Sequence, residues 1–242
     1  MSQQELELPK GWISDLITKI FYLVPTGVKN YDDLKDYYST GSIKSSKITS
    51  EGRFNFEQKP SRANRLAKKN DVFQARMEKS EKSLLVNDDF NESLFSTGFL
   101  QFRALAGCSP KYLFYLLSSG IFLTQRDKYS TGSTQKALTD SGLKRIVIPL
   151  APLKEQEKIA SKIEELFSKI DSTKQSLEYT KLQLEQYRFS LLQSAFEGKL
   201  TEKWREKNKK IDEGQIILER ITKSCQKTFL SKFELVKMNI PK

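Results

Sequence analysis

The 242-residue sequence contains no histidine and only two cysteines, Cys108 and Cys225. Without histidine, no serine or cysteine nucleophile has an imidazole partner, which excludes Ser-His-Asp and Cys-His catalysis. Two widely separated cysteines make neither a disulfide framework nor a zinc site. They read as small buried residues of a cytoplasmic protein. No stretch of about 18 apolar residues is present, so no membrane-spanning helix is expected. The opening MSQQELELPKGW is polar and acidic, so no signal peptide is expected. The scattered glycines form neither G-x-x-x-x-G-K-[ST] nor G-x-G-x-x-G, which leaves no P-loop and no dinucleotide fingerprint. Glu197-Gly-Lys199 superficially matches the E-x-K of a nuclease, but no Asp at a strand end precedes it. No metal, no cofactor and no catalysis are expected.

What the sequence has in excess is positive charge, +11 with a pI near 9.4. Charge of this size bears on partners and not on fold. It suits a polyanion such as double-stranded DNA, whose phosphates release counterions to Lys and Arg. Residues 1–153 hold 22 basic and 16 acidic side chains and the remainder 19 and 14, so the excess is +6 and +5 and no basic tail supplies it.

A second excess is helical periodicity. Beyond residue 153 the sequence predicts one long amphipathic helix that stops at Gly198. Ile159, Ile163, Leu166, Ile170, Thr173, Leu177, Thr180, Leu184, Tyr187, Leu191 and Ala195 recur in steps of four and three, a coiled-coil seam. Residues 155–197 would span about 65 Å at 1.5 Å per residue. Such a helix needs a partner helix and acts as a spacer. Thr173 and Thr180 interrupt the apolar seam; a threonine there is tolerated, or helps set register.

The expected organisation has three parts. Residues 1–153 form a mixed α/β globular domain, residues 154–200 the spacer helix, and residues 201–242 a charged linker and a C-terminal helix. The last carries the stripe Ile217, Ile221, Cys225, Phe229 and Phe233, expected to fold back and dock. In the first part, residues 13–24 read as a short strand or helix. Residues 27–41, with Asp32, Asp33 and Asp36, read as turns. Short strands are expected at 43–56, 71–76, 83–86 and 96–103. Ser109 as N-cap with Pro110 at the first helical position opens a helix through Phe122, with Leu113, Leu116, Leu117 and Phe122 on its apolar face. Residues 133–145 read as a loop and short helix, and Ile146-Val-Ile-Pro closes the domain.

The wording of several segments is specific. PLKEQEKIASKIEELFSKID followed by LxxYRxSLLxxAFEGKLT resembles the conserved spacer of the DNA-specificity (S) subunits of Type I restriction-modification enzymes. LPKGW resembles the opening of a target-recognition domain of that family. PSRANRLAKKNDVFQARM resembles its SRA...GD(V/I)L segment, with Asn70-Asp71 where Gly-Asp is usual. SLFSTGFLQFRA and GSTQKALTDSGLKRIVIPLAPLKEQ resemble the STGF segment and the exit loop. The resemblance covers most of residues 8–206 and is most specific in the coil.

It implies a non-catalytic, cytoplasmic subunit that chooses the DNA sequence and scaffolds methyltransferase and restriction subunits. The methyltransferase motif (D/N)PP(Y/F) belongs to a separate subunit, and no Pro-Pro occurs here. Members usually carry two recognition domains and two spacer helices, whereas this chain has one of each. It thus resembles a half-subunit, expected to work as a homodimer or beside a second half. The alternative is a structural or antitoxin-like coiled-coil protein that binds DNA incidentally; a nucleic-acid enzyme is disfavoured by the missing catalytic sets.

Sequence readout needs side chains that reach base edges, and phosphate contacts fix register. Three segments expected as loops supply these groups: Lys44, Ser45, Lys47 and Arg53; Lys59, Ser61, Arg62, Asn64 and Arg65; and Ser130, Thr131, Ser133, Thr134, Gln135 and Lys136. Arg76 and Lys79 are expected to join the first two. In the third, Gly132 lets backbone amides approach a phosphate closely.

Overall fold

The computed structural model describes residues 8–44, 47–208 and 214–237. They fall into two compact units, Met1–Ile170 and Asp171–Lys242.

The first unit opens with a turn in which Trp12 N donates to Pro9 O, with Gly11 at φ +89 beside Pro152. The next apolar stretch is both strand and helix: β1 (Ile13–Leu16), α1 (Ile17–Ile20) and β2 (Phe21–Leu23). The single turn of α1 puts Ile17 and Ile20 on one face, and both are buried.

Residues 27–41 do not form turns alone, because β3 (Lys35–Tyr38) lies among them. Its charged lettering hid an alternating strand. The Lys35 side chain is 8 % exposed, its ammonium held by Asp33 and Glu92, and Tyr37 is buried on the same side. Then come β4 (Ile43–Lys44), β5 (Lys47–Ile48), β6 (Arg53–Phe54) and β7 (Ala63–Leu66). β7 stands where the sequence pattern predicts a loop. β8 (Asp71–Ala75), β9 (Ser83–Leu85), β10 (Leu94–Ser96) and β11 (Phe99–Ala104) follow. Asn70, ahead of β8, sits at φ +71, a left-handed conformation that Gly and then Asn adopt most readily. That accounts for Asn standing where the family pattern has Gly.

Two four-stranded sheets result. One has the order β6-β3-β10-β7, with β3 and β10 parallel; the other, β2-β11-β8-β9, is antiparallel throughout. The alternation of β8 and β11 sorts side chains into two cores. Phe73, Ala75 and Phe99 meet Tyr38 and Phe95 in an aromatic cluster, with Phe73 and Phe95 stacked at 4.2 Å. Val72, Leu100 and Phe102 point the other way, toward helices.

Those helices are α2 (Pro110–Ser118) and α3 (Gly120–Tyr129). Ser109 caps α2 as expected, its hydroxyl accepting from Tyr112 N. The expected single helix breaks at Ser119, whose extended backbone (ψ 159°) starts α3. Leu113, Leu116, Leu117 and Phe122 are buried in one core all the same. A hairpin of β12 (Ser130–Thr131) and β13 (Ala137–Leu138), then α4 (Asp140–Leu143), lead to β14 (Val147–Leu150), which pairs with β1.

After Ala151 and Pro152, α5 (Leu153–Phe196) begins. Its first turns belong to the globular unit: Gln156 and Ala160 are buried, and Ile159 packs against the helical core. Ile159 therefore seals the domain and is not free for the coil seam. α5 ends where Gly198 takes φ +76, the left-handed stop the sequence predicts. α6 (Glu202–Lys207) and α7 (Gly214–Lys237) follow. Ile217, Ile221 and Cys225 of the expected docking stripe are exposed. Phe229 and Phe233 lie outside the residues whose side chains are described.

Candidate nucleic-acid interface

The exit hairpin is the best defined of the three expected segments. Its tip, Thr131 to Lys136, is exposed, with Lys136 Nζ 4.0 Å from the Glu78 carboxylate. Gly132 sits at φ +137, and a Cβ there would lie 2.5 Å from the Gln135 carbonyl oxygen. Only glycine fits this turn without moving backbone. The hairpin does not float. Leu138 N donates to Arg76 O (2.8 Å) and Glu78 N to Lys136 O (3.0 Å), with a bridge between Met77 and Ala137. It thereby extends the β8 line beyond Ala75.

A strip of polar and basic groups grows outward from that pairing. Arg76 N donates to Gly98 O, and Thr97 N donates to Arg62 O, both at 2.9 Å. The Thr97-Gly98 turn thus joins the exposed Ser61-Arg62 loop to Arg76. The Arg76 guanidinium reaches the Leu138 carbonyl (3.2 Å) and Asp140 (2.8 Å), which ties it to the hairpin a second time. On the other flank Lys79, Ser80, Glu81, Lys82 and Ser83 line a shallow groove with Ile43 of the β4–β5 hairpin. Lys82 Nζ donates to the Thr40 carbonyl (2.5 Å). Lys44 and Lys47 extend exposed from that hairpin, and Ser45 between them lies outside the described residues.

α3 holds these loops in place. The Arg126 side chain is 1 % exposed and bonds the Ser80 carbonyl and Asp127. Asp127 accepts from Lys79 N (3.2 Å), which pins a turn where Lys79 has φ +61. The Arg126 carbonyl accepts from Ser130 Oγ (2.8 Å). Ser130 is thus committed to the hairpin's base.

Other expected residues also have partners within the domain, although Arg53 stays 63 % exposed. Asn64 Oδ1 accepts from Val28 N (3.1 Å). Arg53 stands on β6, bonded to the Leu34 carbonyl and 3.9 Å from Asp36. Lys59 lies over the Phe56 ring at 5.3 Å. Arg65 is 2 % exposed and donates to the Val24 carbonyl, while its Nε is unpartnered. Its removal from water, with the Arg76 charge nearby, lowers its pKa to about 10, partly offset by Asp140. As it stands, Arg65 supports the strip from beneath and is not on its surface. Another cation is paired with a buried carboxylate: Arg103, 35 % exposed, grips Asp71 through two bonds of 2.7 and 2.8 Å, and Gln101 adds a third to Asp71. That hydrogen bonding raises the Arg103 pKa.

The sequence reading missed Thr97, Lys82, Arg126 and Asp127. STGF marked the turn but named no contact, and nothing local distinguishes a buried arginine in a helix from a solvated one. Among the described residues there is no cluster of His, Cys, Asp and Glu able to hold a metal, and no helix long and apolar enough to cross a membrane.

The family model for the Type I restriction modification DNA specificity domain matches residues 28–181. The specificity subunit of the Type I restriction enzyme EcoBI from Escherichia coli is 28 % identical over 138 residues, 54 % of this chain and 28 % of that one. The StySPI specificity subunit from Salmonella potsdam is 29 % identical over 108 residues, 43 % of this chain and 23 % of that one. The solved HsdS subunit from Thermoanaerobacter tengcongensis has a TM-score of 0.60 at 25 % identity, over 72 % of this chain and 46 % of that one. A chain from a structural study of assembly and conformational transition of the type I R-M system gives 0.61 at 26 % identity, over 70 % and 45 %. The chain thus spans about a quarter of the length of these curated relatives and under half of the solved ones.

Proposed function

The chain belongs to the Type I restriction modification DNA specificity domain family, and from that premise we propose that it is the non-catalytic, sequence-reading part of a Type I restriction-modification system. The observation that carries this reading is the anchored exit hairpin. Its glycine-dependent tip stands beside Arg76 and Lys79 and is linked through Thr97 and Gly98 to Arg62. Loops of hydroxyl, amide and cationic groups on a rigid sheet edge suit contacts to phosphates and base edges. Arg62, Lys79, Thr131, Ser133, Thr134, Gln135 and Lys136 form the contact set, with Lys44 and Lys47 on its flank. Arg65, Arg76, Asn64 and Ser130 hold them in position.

The assembly proposed is a two-fold dimer, or a pair with a second half-subunit, through an antiparallel coiled coil. Leu166, Ile170, Leu177, Leu184, Tyr187 and Leu191 are all exposed on α5, Leu177 at 66 %. Ile163, half-buried, begins the seam. Burying each Leu or Ile is worth about 1.5–3 kcal/mol. An antiparallel pair separates the two recognition domains, and two-fold symmetry then calls for an interrupted palindrome. With about 65 Å of helix and 3.4 Å per base pair, the site would not much exceed about 19 base pairs.

A second apolar row supports further partners. Leu182, Phe189 and Phe196 recur every seven residues on roughly the opposite side of α5 and are also exposed. We assign this row to the methyltransferase subunit, through which restriction subunits join.

Mapping methylated adenines in the host genome tests the reading. The expected result is a two-part motif with symmetric halves that disappears when this chain is deleted. Two unrelated halves would replace the homodimer by a pair of different half-subunits. Methyl transfer from S-adenosylmethionine by the purified chain alone would overturn the non-catalytic assignment.

A further inference from the structure

Gln156 lies in the first turns of α5, 1 % exposed, with both ends of its amide bonded. Oε1 accepts from Ser109 N (2.8 Å), and Nε2 donates to the carbonyls of Ala151 (2.8 Å) and Gly107 (3.3 Å). The partners come from two places, the loop that caps α2 and the junction between β14 and α5. A helix that only had to be covered would bury an alanine or leucine here at no polar cost. Three bonds on one planar amide fix rotation as well as distance, because each is directional.

Neighbouring contacts reinforce the same joint. Tyr112 Oη donates to the Pro149 carbonyl at 3.0 Å, and Ala160 is 2 % exposed. Further along, Lys111 meets Glu164 at 2.8 Å, and the rings of Tyr115 and Phe167 stand 6.1 Å apart. All lie within the globular unit, which continues to Ile170.

We infer that Gln156 is a positioning residue that sets the angle and rotational phase at which α5 leaves the recognition domain, and through them the gap allowed between two half-sites. This rests on the dimeric, two-part reading above. Adding one base pair moves a half-site by about 3.4 Å and turns it by about 34°. A joint free to swivel accepts several gaps; a joint held by three directional bonds accepts one.

The test uses the full chain and duplexes carrying the palindromic site, with the gap lengthened and shortened one base pair at a time, plus a single half-site duplex. Gln156→Ala removes all three bonds. Gln156→Glu keeps the acceptor for Ser109 N and loses both donors. The wild type should prefer one gap over its neighbours by about tenfold or more, because both domains must engage at once. Both variants should flatten that preference to within about threefold, while single half-site affinity stays within about twofold. An unchanged, sharp gap preference in the variants overturns the inference. So does loss of half-site binding, or failure of both variants to fold, since either makes Gln156 a stability residue. A wild type without preference for any two-part duplex overturns the proposed function, and this inference with it.

Discussion

The globular unit hides its apolar side chains, and the helices beyond it display theirs. Phe73, Phe95, Phe99, Leu113 and Phe122 are fully buried, whereas Leu177, Phe189 and Phe196 are 66, 72 and 92 % exposed. The first group is covered by two sheets and the α2–α3 pair of the same chain. The second stands on α5, exposed among the described residues. A domain of this size buries enough surface to fold alone, but a long single helix has no inside. Stability of the globular unit and completion of the coil are separate properties; in the proposed assembly the second needs another chain.

The strongest way to break that separation is at the seam. Leu177→Asp with Leu184→Asp places four carboxylates in a dimeric coil whose leucines contribute about 1.5–3 kcal/mol each. Light scattering at micromolar concentration should show a dimer become a monomer, with thermal unfolding of the globular unit unchanged. A wild type that is already monomeric would remove the coil from the account.

The reciprocal change is Asp71→Asn. It leaves Arg103 without its bidentate partner and Gln101 with one bond fewer. Asp71 is buried but Arg103 is 35 % exposed, so solvent screens the orphaned guanidinium and the cost should be about 1.5–3 kcal/mol. Chemical denaturation should register this in the globular unit while the oligomeric state stays the same. A loss below about 1 kcal/mol would mean that water reaches Arg103 and compensates it.

Effects on DNA should be smaller and confined to the strip. Arg62→Ala or Lys136→Ala should weaken binding by about 1–3 kcal/mol and alter sequence preference where the residue reads a base. A residue touching only phosphate should instead lower the salt slope by about one. Gel shifts insensitive to both substitutions would move the interface elsewhere. Gly132→Ala should strain the hairpin by about 1–3 kcal/mol and reduce DNA affinity without dissociating the dimer. The smallest effect belongs to Lys111→Ala. Its ion pair with Glu164 is about half exposed, so stability should fall by no more than about 1 kcal/mol.

Legibility in the sequence followed the range of the forces involved. The long helix α5, its stop at Gly198 and the Ser109-Pro110 start of α2 were readable because each is written within a few turns of one helix. β3 was not, because Lys35 counts as exposed until Asp33 and Glu92 neutralise it and Tyr31 covers it. Nor was the break at Ser119, which the apolar spacing runs straight across.

In the candidate site, residue chemistry could be read but placement could not. The charge excess, the long helix with its glycine stop, and Gly132 in the exit loop were all legible in the chain before any folding. These are properties of composition or of neighbours in the chain. Folding leaves Arg62 and Lys136 exposed and buries Arg65, of the same chemistry as Arg62, beneath the strip. It also makes Gln156 a buried joint and not one more polar residue on a helix. A polar side chain's role depends on which carbonyls and amides close around it, and Val24, Ser109 and Gly107 reach these two residues only across long loops of chain.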